Sequence, residues 1–362
     1  MLKFYARCAA SAAAVATVVA VAAGIAGTPP EVIRLPRGLR PEGIAALSPP
    51  YFAVGSLDGS GRIYTFNGAS GTGAEVFATS TNQTIAGLAY DATTGVLWAA
   101  GGPTGNVLAL GDGGATFLAS VDVPTTGNAL PAFLNDVIAV PPAGVVVVTD
   151  SLNAALYHVP TAVSCAGLGV ESADVRTPRP RRVPLTGDWV QEVEGFHANG
   201  IEYCALAQSL VVVQSVTGRL FAVGWDGVAR LIPVQGGPLT FGDGLLFDAT
   251  DPTVLYVARN RIQVIAVIRF ADAHTLSGAR VEYNFTRPDG WTTPTTVAQA
   301  TDGSLLTVDA RFGDPTPAQL DYFVYRTAAA AERQPPPGDA DVCGVLGRGA
   351  RGGDGGHDEP RV

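Results

Sequence analysis

The stretch ANGIEYCALAQSLVVVQSVTGRLFAV, residues 198–223, reads as three short strands joined by tight turns. Its apolar runs are rich in Val, Leu, Ile and aromatic residues, which suit a pleated, half-buried surface. Gly218 and the polar residues around it break those runs where a turn is needed. Related units lie on both sides. PEGIAALSPPYFAVGSLDGSGRIYTF begins at Pro41, TIAGLAYDATTGVLWAAGGPTGNVLAL at Thr84 and FLNDVIAVPPAGVVVVTDSLNAALYHV at Phe133. GDGLLFDATDPTVLYVARNRIQVIAVIRF follows at Gly242, and PTTVAQATDGSLLTVDARFGDPTPAQLDYFVYR at Pro294. A repeat of roughly 44 to 64 residues is the length of a four-stranded propeller blade. The six units predict an all-β, six-bladed β-propeller of four-stranded blades. A strand near residues 31–35 would close the ring by joining the last blade, removing sheet edges that invite aggregation.

Composition agrees. The 362 residues include 44 Gly and 26 Pro, and 47% of the chain is apolar against 15% charged. That supplies both turns and a core, unlike a disordered chain. Lys3 is the only lysine, which excludes a P-loop, a Schiff-base lysine and an S-x-x-K acyl-transfer centre from the rest of the chain. A net charge of −9 argues against a nucleic-acid partner. The local run Arg176, Arg179, Arg181 and Arg182 does not alter that.

At the N-terminus, Lys3 and Arg7 precede an Ala/Val-rich run that ends at Gly24-Ile25-Ala26, a small-x-small cleavage pattern. The expected organisation is a signal peptide at 1–26, the propeller at 27–330 and a disordered Gly/Pro-rich tail at 331–362. An uncleaved signal anchor is the alternative. The expected product is a secreted, extracellular, monomeric protein free of the membrane once the signal is cleaved. Of the cysteines outside the signal, Cys165 and Cys204 are the expected disulfide, with Cys343 free in the tail. Asn82 and Asn284 head glycosylation sequons. An insertion spans residues 161–197.

Aligning the units exposes a column. Their first strands open on Glu42, Ala86, Asn135, Asn199, Asp243 and Thr295. Inner strands of a propeller line the central channel, so these positions converge on its axis. Two carboxylates and two amides make an oxygen-rich set suited to a hard cation such as Ca²⁺, and the lack of His and Cys disfavours zinc. The alternative is turn chemistry, because Asn-Gly and Asp-Gly are common turn pairs. The antiparallel second strands should bring Asp150, Gln214, Arg259 and Asp309 to the same mouth, unless Arg259 and Asp309 pair across blades. His197, two residues before Asn199, is the best placed histidine for proton transfer.

The succession E-G at Glu42, N-D at Asn135, N-G before V-V-V-Q-S at Asn199 and D-G before L-Y-V at Asp243 resembles the senescence-marker-protein/gluconolactonase-like superfamily. Its relatives include diisopropyl fluorophosphatase, paraoxonase and strictosidine synthase. The resemblance spans about Pro41 to Arg326. It implies that Glu42, Asn135, Asn199 and Asp243 bind a divalent metal, Ca²⁺ by analogy with the family. It also implies Asp243 as general base and Asp136 as the carboxylate orienting Asn135. The implied activity is hydrolysis of a small-molecule lactone or ester. A non-hydrolytic biosynthetic enzyme of the same fold, catalysing a cyclisation or hetero-Diels–Alder reaction, and a non-catalytic binding propeller are the alternatives. No G-x-S-x-G elbow or H-E-x-x-H helix competes, and Gly347, Gly349 and Gly352 match G-x-G-x-x-G without a strand before them.

Overall fold

A computed structural model describes residues 28–77, 82–162, 179–192, 194–287 and 290–328. The expected signal peptide and C-terminal tail, with Cys165 and Cys343, lie outside them. The described chain forms six small, mainly antiparallel sheets set around an axis, a six-bladed β-propeller as the repeat predicted. The inner strands, in order, are Pro41–Ala46, Leu88–Asp91, Leu134–Val140, Ala198–Cys204, Gly242–Phe247 and Pro294–Gln299. Each touches the next, and the sixth touches the first.

Ring closure follows the expected route. Val32–Arg34 is the outermost strand of the last blade and pairs antiparallel with Phe323–Thr327, Val32 opposite Tyr325. At the inner end, Thr295 Oγ1 donates to the Glu42 carbonyl at 2.7 Å, joining the last unit to the first.

The core lies between blades rather than within them. One buried cluster packs Val54, Phe66, Val308 and Val324 between the last and first blades. Another packs Val211, Leu220, Leu255 and Ile268 between the fourth and fifth. Alternating apolar faces of adjacent sheets interdigitate in this way at every junction. Trp98, Trp291, Tyr157 and Tyr256 are fully buried in these layers.

Part of the expected insertion belongs to the blades. Arg181–Pro184 is the outer strand of the third sheet, and Thr186–Gly187 pairs in parallel with Val228–Ile232 of the fourth. Cys204 is buried and forms no disulfide among the described residues, and its Sγ donates to the Ala273 carbonyl at 3.3 Å. Asn82 and Asn284 are both exposed.

The X-Gly pairs turn out not to be turns. Gly43, Gly200 and Gly244 lie inside the inner strands, Gly87 just before one, and none has positive φ. Each faces the backbone of the next inner strand. A Cβ on Gly43 would sit 2.2 Å from the Ala86 carbonyl oxygen, and one on Gly200 would sit 2.1 Å from that of Asp243. On Gly87 it would lie 2.6 Å from the Asp136 Cα. Glycine is required by close approach, not by a left-handed conformation.

Gly200→Ala is therefore expected to lower unfolding free energy by about 3 kcal/mol, because backbone must move to admit the methyl group. Gly278, with negative φ and its nearest atom 3.7 Å away, should tolerate alanine within about 0.5 kcal/mol. Equal effects of the two substitutions in denaturant titrations would contradict this.

Candidate functional site at the channel mouth

Five inner strands are bulged where the column sits. Ladder pairing skips between Pro41 and Ile44, Leu134 and Val137, Ala198 and Ile201, Gly242 and Leu245, and Pro294 and Val297. A bulge leaves residues unpaired and re-aims their side chains, and these skips contain Glu42, Asn135, Asn199, Asp243 and Thr295. The first four line one cavity of about 780 Å³ at the end of the channel. They are buried, none more than 7% exposed.

Each is held by a neighbour. Asn135 Nδ2 donates to Ser151 Oγ at 2.9 Å, and Ser151 Oγ donates to the Ala198 carbonyl at 2.8 Å. Asn260 Nδ2 donates to Asp243 Oδ2 at 2.8 Å. The Asn199 side chain also bonds Asp243, while its Oδ1 is buried with no hydrogen-bond partner. Burial and the negative charges of Asp243 and Asp136 push Glu42 well above the usual carboxylate range. Burial likewise raises Asp243 to about 7, against hydrogen bonds from Asn260 and Asn199.

The acidic character continues along the channel. Asp136 and Glu202 retain accessible surface yet are enclosed by protein, and desolvation raises them to about 7 and about 8. Asp136 bridges blades, accepting from Val137 N at 2.9 Å and Ile201 N at 3.2 Å. The residue holding Asn135 is thus Ser151 rather than Asp136.

The four second-strand residues do not line the cavity; they clamp loops. Asp150 is fully buried and accepts from the Phe133, Leu152 and Asn153 amides, Asn153 Nδ2 and Tyr157 Oη. Gln214 donates to the Val190 carbonyl at 2.8 Å and accepts from Thr217 Oγ1 at 2.6 Å. Arg259 binds the Thr240 and Pro238 carbonyls and Thr240 Oγ1, each at 3.1 Å. Asp309 accepts from Thr292 and Thr293. Each fastens the loop that leads into its own blade. In three of the four the next residue along faces the axis: Ser215 and Asn260 line the cavity, and Ser151 holds Asn135. Strand side chains alternate, so a one-residue difference in register moves a residue from one role to the other.

His197 is 1% exposed and does not line the cavity. Neither ring nitrogen makes a hydrogen bond of normal geometry, and burial holds the imidazole below its ordinary pKa, against smaller pulls from the Glu194 backbone and the Glu192 charge. Cavity residues beyond the sequence reading are Phe133, Glu194, Phe196, Phe241, Asn260, Arg261 and Phe312. Only Asn260, adjacent to Arg259 in the aligned register, carried a signal in the repeat.

No family model matches the chain, and no curated protein matches it in sequence. Solved propellers resemble it in shape. Mala s 1, the major allergen of Malassezia sympodialis, is 17% identical with a TM-score of 0.60, the match covering 82% of this chain and 96% of that one. A luciferin-regenerating enzyme is 14% identical at TM-score 0.56, covering 83% and 95%. Virginiamycin B lyase from Staphylococcus aureus is 11% identical at 0.51, covering 77% and 81%. These likenesses concern the fold, and the neighbours include both enzymes and an allergen.

Two outcomes follow from the geometry. Asp150→Ala strands several buried donors and should cost about 3 kcal/mol or more in a denaturant titration. Above pH about 6.5 the buried His158 and His197 are neutral when folded, and each unfolded imidazole binds at most about half a proton. Asp136, Asp243 and Glu202, their folded pKa values raised, still bind protons there that unfolded carboxylates have lost. Stability of chelator-treated protein should therefore fall as pH rises from about 6.5 to about 8. A melting temperature that stays flat or rises across that window would contradict the assignment.

Proposed function

We propose that this propeller is a divalent-cation-dependent hydrolase of small-molecule esters or lactones, with Ca²⁺ as the cation of choice. The observation that carries the reading is the meeting of Glu42, Asn135, Asn199 and Asp243, from four different blades, at the floor of one cavity. The donor set fits such an ion. It offers two carboxylates and two amides, all oxygen-bearing and hard. Asn199 Oδ1 is buried without a partner, and burial together with the charge of Asp243 raises the proton affinity of Glu42. A cation between them would satisfy the first and relieve the second. Among the described residues no three His, Cys, Asp or Glu side chains form a metal cluster, so the amides are indispensable to the set.

A bound divalent cation polarises a carbonyl or phosphoryl oxygen and stabilises the charge that develops on it. The chain supplies the remainder. Asn260, through Oδ2, and Asn199 fix the Asp243 carboxylate at the site. Asp243 is the proposed base: it takes a proton from water as the water oxygen attacks the acyl carbon, then returns it to the departing oxygen as the ester bond breaks. Ser151 keeps the Asn135 carbonyl oxygen turned towards the cavity by engaging its amide nitrogen. The enclosing loops limit the water that reaches the floor.

The test is titration calorimetry with Ca²⁺ on chelator-treated protein, paired with hydrolysis of phenyl acetate and a γ-lactone. Asn199→Ala and Asp243→Asn are expected to lose bound calcium and to lower kcat/KM by about 100-fold or more. Turnover that survives both chelation and these substitutions would overturn the proposal.

A further inference from the structure

The floor of the cavity is acidic, but its rim is aromatic. Phe196 and Phe312 are 43% and 50% exposed, and Val216 beside them is 41% exposed. Scattered exposed apolar residues are ordinary on a protein surface; several converging on one mouth mark a binding surface. They are arranged in pairs. Phe133 and Phe196 meet edge to face, their centroids 4.9 Å apart and their planes at 72°. Arg261 places its guanidinium carbon 5.4 Å from the centroid of the Phe241 ring.

Phe241 is held there by strained backbone. Its φ of 61° is left-handed, a conformation bulky side chains rarely adopt. Two hydrogen bonds enforce it: its amide donates to the Ser215 carbonyl at 2.8 Å and its carbonyl accepts from Asn260 N at 3.1 Å. Phe133 occupies the same place in its own repeat, two residues before Asn135 as Phe241 is two before Asp243, and its carbonyl accepts from Ser151 N at 2.9 Å. One hydrogen bond of the repeat therefore holds an aromatic residue at the mouth in two blades, and of the two only Phe241 is in the left-handed conformation. Strain fixed in this way at a cavity rim is a mark of function.

Charge orients the occupant. Glu42 and Asp243 lie on the floor and Glu194 on the wall, whereas Arg261 is the one cation lining the cavity. Among the described residues Arg261 makes no ion pair. An anionic group is thus directed to the rim and kept from the floor.

We infer that the mouth binds a flat aromatic ligand bearing one anionic substituent, its ring lodged between the Phe133–Phe196 pair and Phe241, and the anion at Arg261. This names a substrate class for the proposed hydrolysis, aryl esters or lactones carrying an acid group, and rests on that reading for the reaction though not for the binding. A cavity of about 780 Å³ is ample for a fused-ring ligand.

The experiment is calorimetric titration of the full chain with naphthalene-2-sulfonate and with neutral 2-naphthol, in EDTA and again in Ca²⁺. Both probes should bind, the sulfonate about fivefold tighter. Phe196→Ser, and independently Phe312→Ser, should weaken both probes by about five- to tenfold, with an unchanged circular dichroism spectrum confirming the fold. Arg261→Gln should abolish the preference for sulfonate and leave 2-naphthol binding unchanged. Failure of either probe to bind at millimolar concentration, indifference to both Phe substitutions, or a sulfonate preference that survives Arg261→Gln would overturn the inference. The EDTA arm separates the two proposals: probe binding with no calcium binding would sink the hydrolase reading alone, and calcium binding without probe binding would sink this one alone.

Discussion

Six inner strands crowd so closely around the axis that four places admit no side chain. At Gly43, Gly87, Gly200 and Gly244 the neighbouring backbone occupies the space a Cβ would need. This contact fixes the distance between blades at the channel mouth, and the site depends on that distance. Bulges beside the glycines turn Glu42, Asn135, Asn199 and Asp243 out of the ladder and towards one another. Wider spacing would separate those side chains, and an unbulged ladder would alter the faces to which they point.

Such a site works against stability. Buried carboxylates with raised proton affinity cost free energy when ionised, and a left-handed Phe241 adds strain. The opposing contribution comes from the apolar layers between blades and from the clamps at their inner ends. Asp150, with its several donors, shows how a buried charge is tolerated when it is fully hydrogen-bonded. The two populations of carboxylate differ in this respect: Asp150 and Asp309 are satisfied by loop donors, whereas Glu42 faces other acids. Of the buried polar atoms short of a partner, Asn199 Oδ1 lines the cavity, whereas both His197 nitrogens, Trp98 Nε1 and Trp291 Nε1 lie outside it.

The sequence made the propeller legible because turn and strand signals recur at one interval, and the column legible because equivalent positions in a closed ring converge. It left turn chemistry open as an alternative at the glycines, since Asn-Gly and Asp-Gly look alike in a turn and in a crowded strand; only the neighbouring blade tells them apart. It placed the second-strand residues one position early. Asp150, Gln214, Arg259 and Asp309 terminate their strands, but alternation sends them to the loops and presents Ser151, Ser215 and Asn260 to the axis. The aromatic rim left no trace in the repeat. Phe133 and Phe241 occupy a place that holds Arg40, Thr84, His197 and Thr293 in the other units, so nothing periodic announces it. Burial of His197 was equally hidden, because the segment that covers it varies from blade to blade.

The manner of ring closure also bears on the order in which the molecule can assemble. Val32–Arg34 pairs with Phe323–Thr327, residues that leave the ribosome almost a whole chain later. Blades built from hairpins can form early from local contacts, but the last sheet and the Thr295–Glu42 link must await both ends. Until then the first and last apolar faces lie open. The channel mouth, which needs side chains from blades on either side of that seam, is accordingly among the last parts of the molecule to take shape, and chain shortened from either side of the seam would lose it first.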